Sequence, residues 1–139
     1  MLKGINFLHQ NNIIHRDLKA ANLLITNQGV LKIADFGLGR FLKTHNKHLT
    51  QDVVTFPYRA PELILGDKNY NEKIDIWSIG CIFGEFLIRK HLFNEQGDRN
   101  QIFLMYQLLG EPQFTWPEIE QLKHWRELRP LNRHQSQIE

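Results

Sequence analysis

Apolar side chains at Leu2, Ile5 and Leu8 recur with the spacing of one helix face, and the pair Ile13 and Ile14 continues the run. The pattern predicts an amphipathic helix that frays at Asn11-Asn12, a poor helix sequence. Leu23 to Thr26 and Val30 to Ala34 are short strand-like runs separated by Asn27-Gln28-Gly29, which predicts a hairpin. A hairpin brings its ends together, so Asn22 and Asp35 become neighbours. Phe41 to Asp52 is polar and without periodicity, and reads as a loop. Ile74 to Leu87 is apolar on nearly every face, which predicts a helix buried all round. Gly80 and Gly84 stand one turn apart in it and would let neighbouring backbone approach closely. Asp98 with Gln101 has the spacing of a capping box, and Gly110 with Pro112 supplies a stop, so a helix from Arg99 to Leu109 is expected. Glu118 to Glu139 is polar and weakly patterned, with helical potential over Ile119 to Leu128. There is no internal repeat and no low-complexity tract.

Composition adds bounds. With 139 residues, 42% hydrophobic and 23% charged, the chain has the make-up of one globular domain or part of one. Aromatic residues at 11% could build a sizeable core, while a severed domain would leave apolar surface uncovered. The net charge of +2 is too small to argue for nucleic acid or membrane binding by bulk electrostatics. No apolar run reaches the length needed to span a bilayer, and Met1 to His9 lacks the charged start and continuous apolar centre of a secretory signal, so an intracellular protein is expected. The single cysteine, Cys81, cannot form an internal disulfide. Its apolar neighbours predict a small buried core residue.

Three motifs carry the chemistry: His15-Arg16-Asp17-Leu18-Lys19-Ala20-Ala21-Asn22, then Asp35-Phe36-Gly37, then Ala60-Pro61-Glu62. Phosphoryl transfer requires a carboxylate to orient the attacking hydroxyl, a cation on the transferred phosphate and oxygen ligands for magnesium. Asp17 is the candidate base, Lys19 the candidate cation, and Asn22 and Asp35 the candidate oxygen ligands. Asp35-Phe36-Gly37 alone reads equally well as a strand end and turn. Three motifs in the required order displace that reading.

These residues resemble the catalytic loop, magnesium loop and activation-segment end of a eukaryotic Ser/Thr protein kinase. Val53-Val54-Thr55, Tyr58-Arg59-Ala60-Pro61-Glu62-Leu63 and Asp75-Ile76-Trp77-Ser78-Ile79-Gly80-Cys81-Ile82 resemble the cyclin-dependent kinase family. Within it, Lys19 to Thr26 with Gly29 to Lys32 is most similar to the cyclin-dependent kinase 9 subfamily, the catalytic side of positive transcription elongation factor b. The resemblance runs from Met1 to about Pro117. It implies an α+β fold: the mainly helical large lobe of a protein kinase, with a short β-hairpin at the catalytic and magnesium loops. Residues 1–139 would form a partial kinase domain without the small lobe and the last helices.

The resemblance also implies ATP and Mg2+ as cofactors, with Lys19, Asn22 and Asp35 at the nucleotide and Asn22 and Asp35 on the metal. It implies a cyclin as partner, protein substrates with Ser/Thr-Pro sites such as the RNA polymerase II tail, nuclear localisation, and no direct contact with nucleic acid or membrane. Thr50 matches a regulatory phosphosite whose phosphate would draw Arg16 and Arg40 together. Val53, Val54 and Arg59 match the platform for a proline after the phosphorylated residue, and Thr55 a residue that bridges Asp17 and Lys19. Asp75 matches a buried acid that holds the catalytic-loop backbone, although an acid opening a helix also suits the helix dipole. Glu62 matches an acid that pairs with an arginine absent here. Three departures stand out: Gly39 for alanine, expected to loosen its segment; Phe56-Pro57 for a pair ending in tryptophan, which changes platform packing; and Leu49 for tyrosine. His45 and His48 have a metal-compatible spacing without further ligands, and read as loop residues.

The sequence contains no Gly-rich phosphate loop and no strand lysine for the nucleotide. Two readings therefore stand: a kinase of the cyclin-dependent class, or an inactive fragment of one that serves as a binding module.

Overall fold

The computed structural model describes residues 1–42 and 53–130. Helix α1, Leu2–Gln10, buries Ile5 and Leu8 as their spacing predicts. The helix does not carry on to Ile13. Asn12 takes a left-handed conformation (φ 58°), which Asn tolerates better than most residues, and it turns the chain so that Ile13–Ile14 becomes strand β1.

Strands β2 (Leu23–Ile25) and β3 (Leu31–Ile33) form the expected antiparallel hairpin, with Leu23 opposite Ile33 and Ile25 opposite Leu31. Gly29 closes its turn at φ 76°, a conformation open to glycine without steric cost. A second pair was not legible: β1 lies against β4, Arg40–Phe41, with Ile14 opposite Arg40. Phe41 thus belongs to a strand and not to the loop expected from that residue onward. Lys43 to Asp52 lie outside the described residues.

The remainder is helical: α2 (Pro61–Ile64), α3 (Lys73–Ile88), α4 (Asp98–Leu109) and α5 (Trp125–Leu128). The core runs between them through Leu18, Leu65, Ile74, Ile82, Ile102 and Ile119, all fully enclosed. Three expectations are corrected here. Helix α3 is not buried all round: Ile74, Ile79 and Ile82 face the core, but Phe83, Phe86 and Leu87 are more than half exposed. The described elements cover one side of α3 only, and apolar content reports what a helix could bury, not what lies against it.

Second, Gly97 and not Asp98 caps α4, and no capping box forms. Gln101 is wholly buried and turns inward, accepting from the Glu95 N–H at 2.9 Å and donating to the Phe56 carbonyl at 3.2 Å. Tying two chain segments together takes precedence over capping. Third, the stretch from Ile119 to Leu128 is not one helix but a 3-10 turn, Pro117–Gln121, followed by the single turn α5.

The glycines also differ from expectation. Open space surrounds Gly80, and at Gly84 the close neighbour is the Leu92 side chain rather than backbone. At Gly39 an added methyl would lie 3.0 Å from the Phe36 carbonyl oxygen. Glycine there permits a tight turn, closed by Gly39 N–H to Phe36 O at 2.8 Å, rather than loosening the segment.

Candidate active site

The loop between β1 and β2 carries Asp17, Lys19 and Asn22, and it is held from two sides. From below, Asp75 in the first turn of α3 accepts the backbone N–H of His15 on Oδ2 and that of Arg16 on Oδ1, both at 2.9 Å. The His9 Nε2 lies 2.9 Å from the same Oδ2. Three donors satisfy a carboxylate that is almost wholly enclosed, which is what makes its burial tolerable. Arg16 adopts φ 66° so that both N–H groups converge on Asp75.

From above, Thr55 donates its N–H and its Oγ to Asp17 Oδ1, at 3.1 and 2.7 Å. Lys19 Nζ donates to Asp17 Oδ2 at 2.8 Å and to Thr55 Oγ at 3.1 Å. Thr55 therefore bridges the acid and the lysine. Burial works to raise the Asp17 carboxyl, but the hydrogen bonds from Lys19 and Thr55, with the lysine charge, hold it below its ordinary value. Asp17 is an acceptor-only carboxylate at neutral pH, as a hydroxyl-orienting group needs to be.

Asn22 directs its amide Nδ2 to the Asp17 carbonyl at 2.8 Å, which leaves Oδ1 as its free-standing oxygen ligand. Its own carbonyl accepts the Ala34 N–H at 2.9 Å, so the hairpin does place Asn22 beside the start of the Asp35 turn. Asp35 sits at φ 62°, exposed, with Oδ1 accepting the Gly37 N–H at 3.2 Å. Two hard oxygen donors of this kind suit magnesium, which takes a few protein oxygens and completes its shell with phosphate and water. Among the described residues no three His, Cys, Asp or Glu side chains gather as a metal cluster. His45 and His48 lie outside the described residues.

Sequence reasoning assigned no role to three residues that organise this loop, His15, His9 and Tyr70, nor to Tyr58, which ties the turn after Thr55 to α3. His15 accepts the Asp17 N–H on Nδ1 at 3.3 Å, which places the ring proton on Nε2, 3.0 Å from the Ala34 carbonyl. It thus joins the loop of the base to the strand before Asp35. His9 lies one turn beyond Ile5 on the same helix face, and that spacing was its only signal. Tyr70 accepts from Arg16 Nη1 at 3.0 Å, and Arg16 Nε donates to the Leu38 carbonyl at 2.7 Å. Tyr58 donates to Glu85 at 2.6 Å. Burial and the Glu85 carboxylate push its phenol up to about 12, so it keeps its proton.

Of Val53, Val54, Thr55 and Arg59, Thr55 meets Asp17 and Arg59 meets Val54, while Val53 and Val54 are buried. Val54 has φ 70°, a costly conformation for a β-branched residue. Its carbonyl accepts Arg59 Nη2 at 3.3 Å, and the Arg59 guanidinium stands 5.6 Å from the centre of the Phe56 ring. Phe56 is held in turn by Gln101, whose Nε2 donates to its carbonyl at 3.2 Å. Arg16 is buried and Arg40 is exposed on β4, while Thr50 lies outside the described residues. Burial lifts the Glu62 carboxyl above its ordinary range, and among the described residues no cation pairs with it. Cys81 is a buried free thiol pushed up to about 12 by burial, an inert core residue as expected.

This constellation is that of a protein kinase domain, and the family model of that description matches residues 1–135, so the chain belongs to the protein kinase domain family. Its likeness runs to the cyclin-dependent branch. It is 47% identical over 132 residues to cyclin-dependent kinase C-3 of Oryza sativa subsp. japonica, covering 94% of this chain and 40% of that one. It is also 47% identical over 130 residues to cyclin-dependent kinase 20 of Danio rerio, covering 92% and 38%. Among solved structures it is similar to the yeast RNA Pol II CTD kinase CTDK-1 complex, with TM-score 0.89 and 35% identity over 97% of this chain and 45% of that chain. The CAK complex of Chaetomium thermophilum bound to ATP-gamma-S is similar at TM-score 0.86 and 37% identity, over 94% and 40%. The chain spans about two fifths of the length of the curated relatives it matches.

Proposed function

We propose that this chain is the catalytic-loop part of a Ser/Thr protein kinase of the cyclin-dependent class, transferring the ATP gamma-phosphate to Ser/Thr-Pro sites with a cyclin as partner. The observation that carries the proposal is the Asp17 carboxylate, held between Thr55 and Lys19 and below its ordinary value. In this reading Asp17 accepts the hydrogen bond of the substrate hydroxyl and sets its direction of attack. Lys19 places a point charge on the transferred phosphate. Asn22 and Asp35 would hold Mg2+, which when bound neutralises charge on the phosphate oxygens.

Proline direction is supported by the turned backbone at Val54. Its carbonyl is occupied by Arg59 and does not offer itself to a substrate N–H. A residue without an N–H, proline, gives up nothing there, whereas any other residue leaves a donor unmet. The polymerase tail as substrate rests on the similarity to a structure described as a CTD kinase, and the nuclear setting and the cyclin-dependent kinase 9 subfamily belong to the same reading. Thr50 as phosphosite, with Arg16 and Arg40, completes it.

The test is transfer of labelled phosphate from ATP to a Ser-Pro peptide, with a Ser-Ala peptide as control. Equal labelling of both would sink proline direction, and transfer retained by Asp17→Asn would show the base to be misassigned.

A further inference from the structure

Gln101 is wholly buried in the first turn of α4, and its side-chain amide bonds to chain segments outside that helix. Oε1 accepts the Glu95 N–H at 2.9 Å, and Nε2 donates to the carbonyls of Phe56 at 3.2 Å and Phe93 at 3.4 Å. These partners fix the orientation of the amide: turned over, it would set its oxygen against two carbonyl oxygens and its N–H groups against a donor. Phe93 is itself anchored, being buried and stacked on Trp77 of α3 with ring centres 5.7 Å apart. Gln101 therefore ties Phe56 to the core.

Phe56 opens the 3-10 turn Phe56–Tyr58 directly after Thr55, and Pro57 brings no N–H to it. Two backbone bonds close the turn, Tyr58 N–H to the Thr55 carbonyl at 2.9 Å and Arg59 N–H to the Phe56 carbonyl at 3.1 Å. At its far end the turn is bonded to α3, where Ser78 Oγ donates to the Tyr58 carbonyl at 2.9 Å. At its near end the Gln101 bond ties it to α4. Arg59 leans on this near end. No acid pairs with it among the described residues, and its Nε is buried without a hydrogen-bond partner. Its guanidinium is held by the Phe56 ring, 5.6 Å away at its centre, and by the Val54 carbonyl, which Nη2 meets at 3.3 Å. A shift of Phe56 therefore draws Arg59 off the Val54 carbonyl, whereas Asp17 keeps its own bonds to Thr55 and Lys19.

We propose that Gln101 is a positioning residue for the proline platform: by holding Phe56, and through it Arg59, it keeps the Val54 carbonyl occupied and so sets the preference for proline after the phosphorylated residue. This rests on the kinase reading above. A freed Val54 carbonyl can accept the N–H of any following residue, so loss of the Gln101 bonds relaxes selection more than it slows transfer.

The test compares the full chain with Gln101→Met, which keeps the length of the side chain and removes its donor and acceptor, and with Phe56→Leu, a half-buried position where the ring beneath Arg59 is lost and the Gln101 bond to the backbone stays. In 15N spectra the buried Arg59 Nε–H of the wild type should give a signal protected from solvent exchange, which both variants lose while the Asp17 amide stays in place. A protected signal that survives in either variant overturns the inference. In a phosphotransfer assay the ratio of kcat/KM for a Ser-Pro over a Ser-Ala peptide should fall about three- to tenfold in both variants, mainly through KM, as the loss of one hydrogen bond implies. A merely structural role lowers kcat on both peptides alike, through loss of folded protein, and leaves the ratio unchanged; that result overturns the positioning role. If Gln101→Met does not fold, Phe56→Leu decides by the same two readouts. Absence of any transfer by the wild-type protein overturns the kinase reading instead, and the Arg59 signal still decides for or against Gln101.

Discussion

Asp17 and Asp35, which the kinase reading assigns to one site, are held in opposite ways. Asp17 is buried, shared between Lys19 and Thr55, and stands on a loop that Asp75 grips from below. Asp35 is exposed, in a left-handed conformation, with one local bond to Gly37. The difference follows from what each must meet. A group that orients a hydroxyl gains from being fixed before substrate arrives, since misplacement costs rate directly. A group that must ligate a cation needs open oxygens, and supporting bonds to both of them would compete with the ion.

The largest effect that would break this comparison lies at Asp17. In the kinase reading Asp17→Asn keeps the shape and one acceptor oxygen but removes the charge, and should lower peptide phosphorylation by about 10²- to 10⁴-fold. A loss of less than tenfold would mean that the fixed carboxylate is structural. Next is Asp75→Ala, which leaves the His15 and Arg16 N–H groups buried without an acceptor. It should cost about 3–5 kcal/mol in urea-unfolding stability. A change below 1 kcal/mol would show that the loop is held by other means.

Thr55→Val tests the upper clamp through pH. The Asp17 carboxyl is lower in the folded than in the unfolded chain, so its contribution to stability is complete above the ordinary Asp range and is lost as pH falls through the folded value. Removing the Thr55 hydroxyl should move the Asp17 titration upward, as read by carboxyl 13C shifts, and shift the onset of acid destabilisation to higher pH. An unmoved titration would assign the depression to Lys19 and the backbone N–H of residue 55. The smallest expected effect sharpens the contrast: Asp35→Asn should change stability by no more than about 0.5 kcal/mol, because the site is exposed and Asn also tolerates the left-handed backbone. In the kinase reading the same variant loses ATP-dependent transfer. A large loss of stability would show Asp35 to be structural after all.

Much of the site was legible because motif order and spacing constrain it. The β2–β3 hairpin followed from the strand-like runs and their turn, and it alone implied that Asn22 lies beside the Asp35 turn, while the bridging role of Thr55 was implied by the family resemblance. The misses share a cause. Gln101 reads as a capping residue by its spacing, yet its side chain is drawn inward by the Phe56 and Glu95 backbone, which no local pattern encodes. The apolar run of α3 predicted full burial, but burial depends on which elements lie over the helix. Arg40–Phe41 reads as loop because a two-residue strand has no period; it is a strand only because Ile13–Ile14 lies beside it.

By itself the sequence determined the identities of Asp17, Lys19, Asn22 and Asp35, the order of their motifs and the family they resemble, because these follow from residue type and short-range spacing. Only the tertiary structure decided the rest of what holds them: His9 joins Asp75 beneath the catalytic loop, His15 reaches the Ala34 carbonyl and Tyr70 meets the Arg16 guanidinium, and hydrogen bonds between such distant segments depend on packing that a linear pattern does not contain.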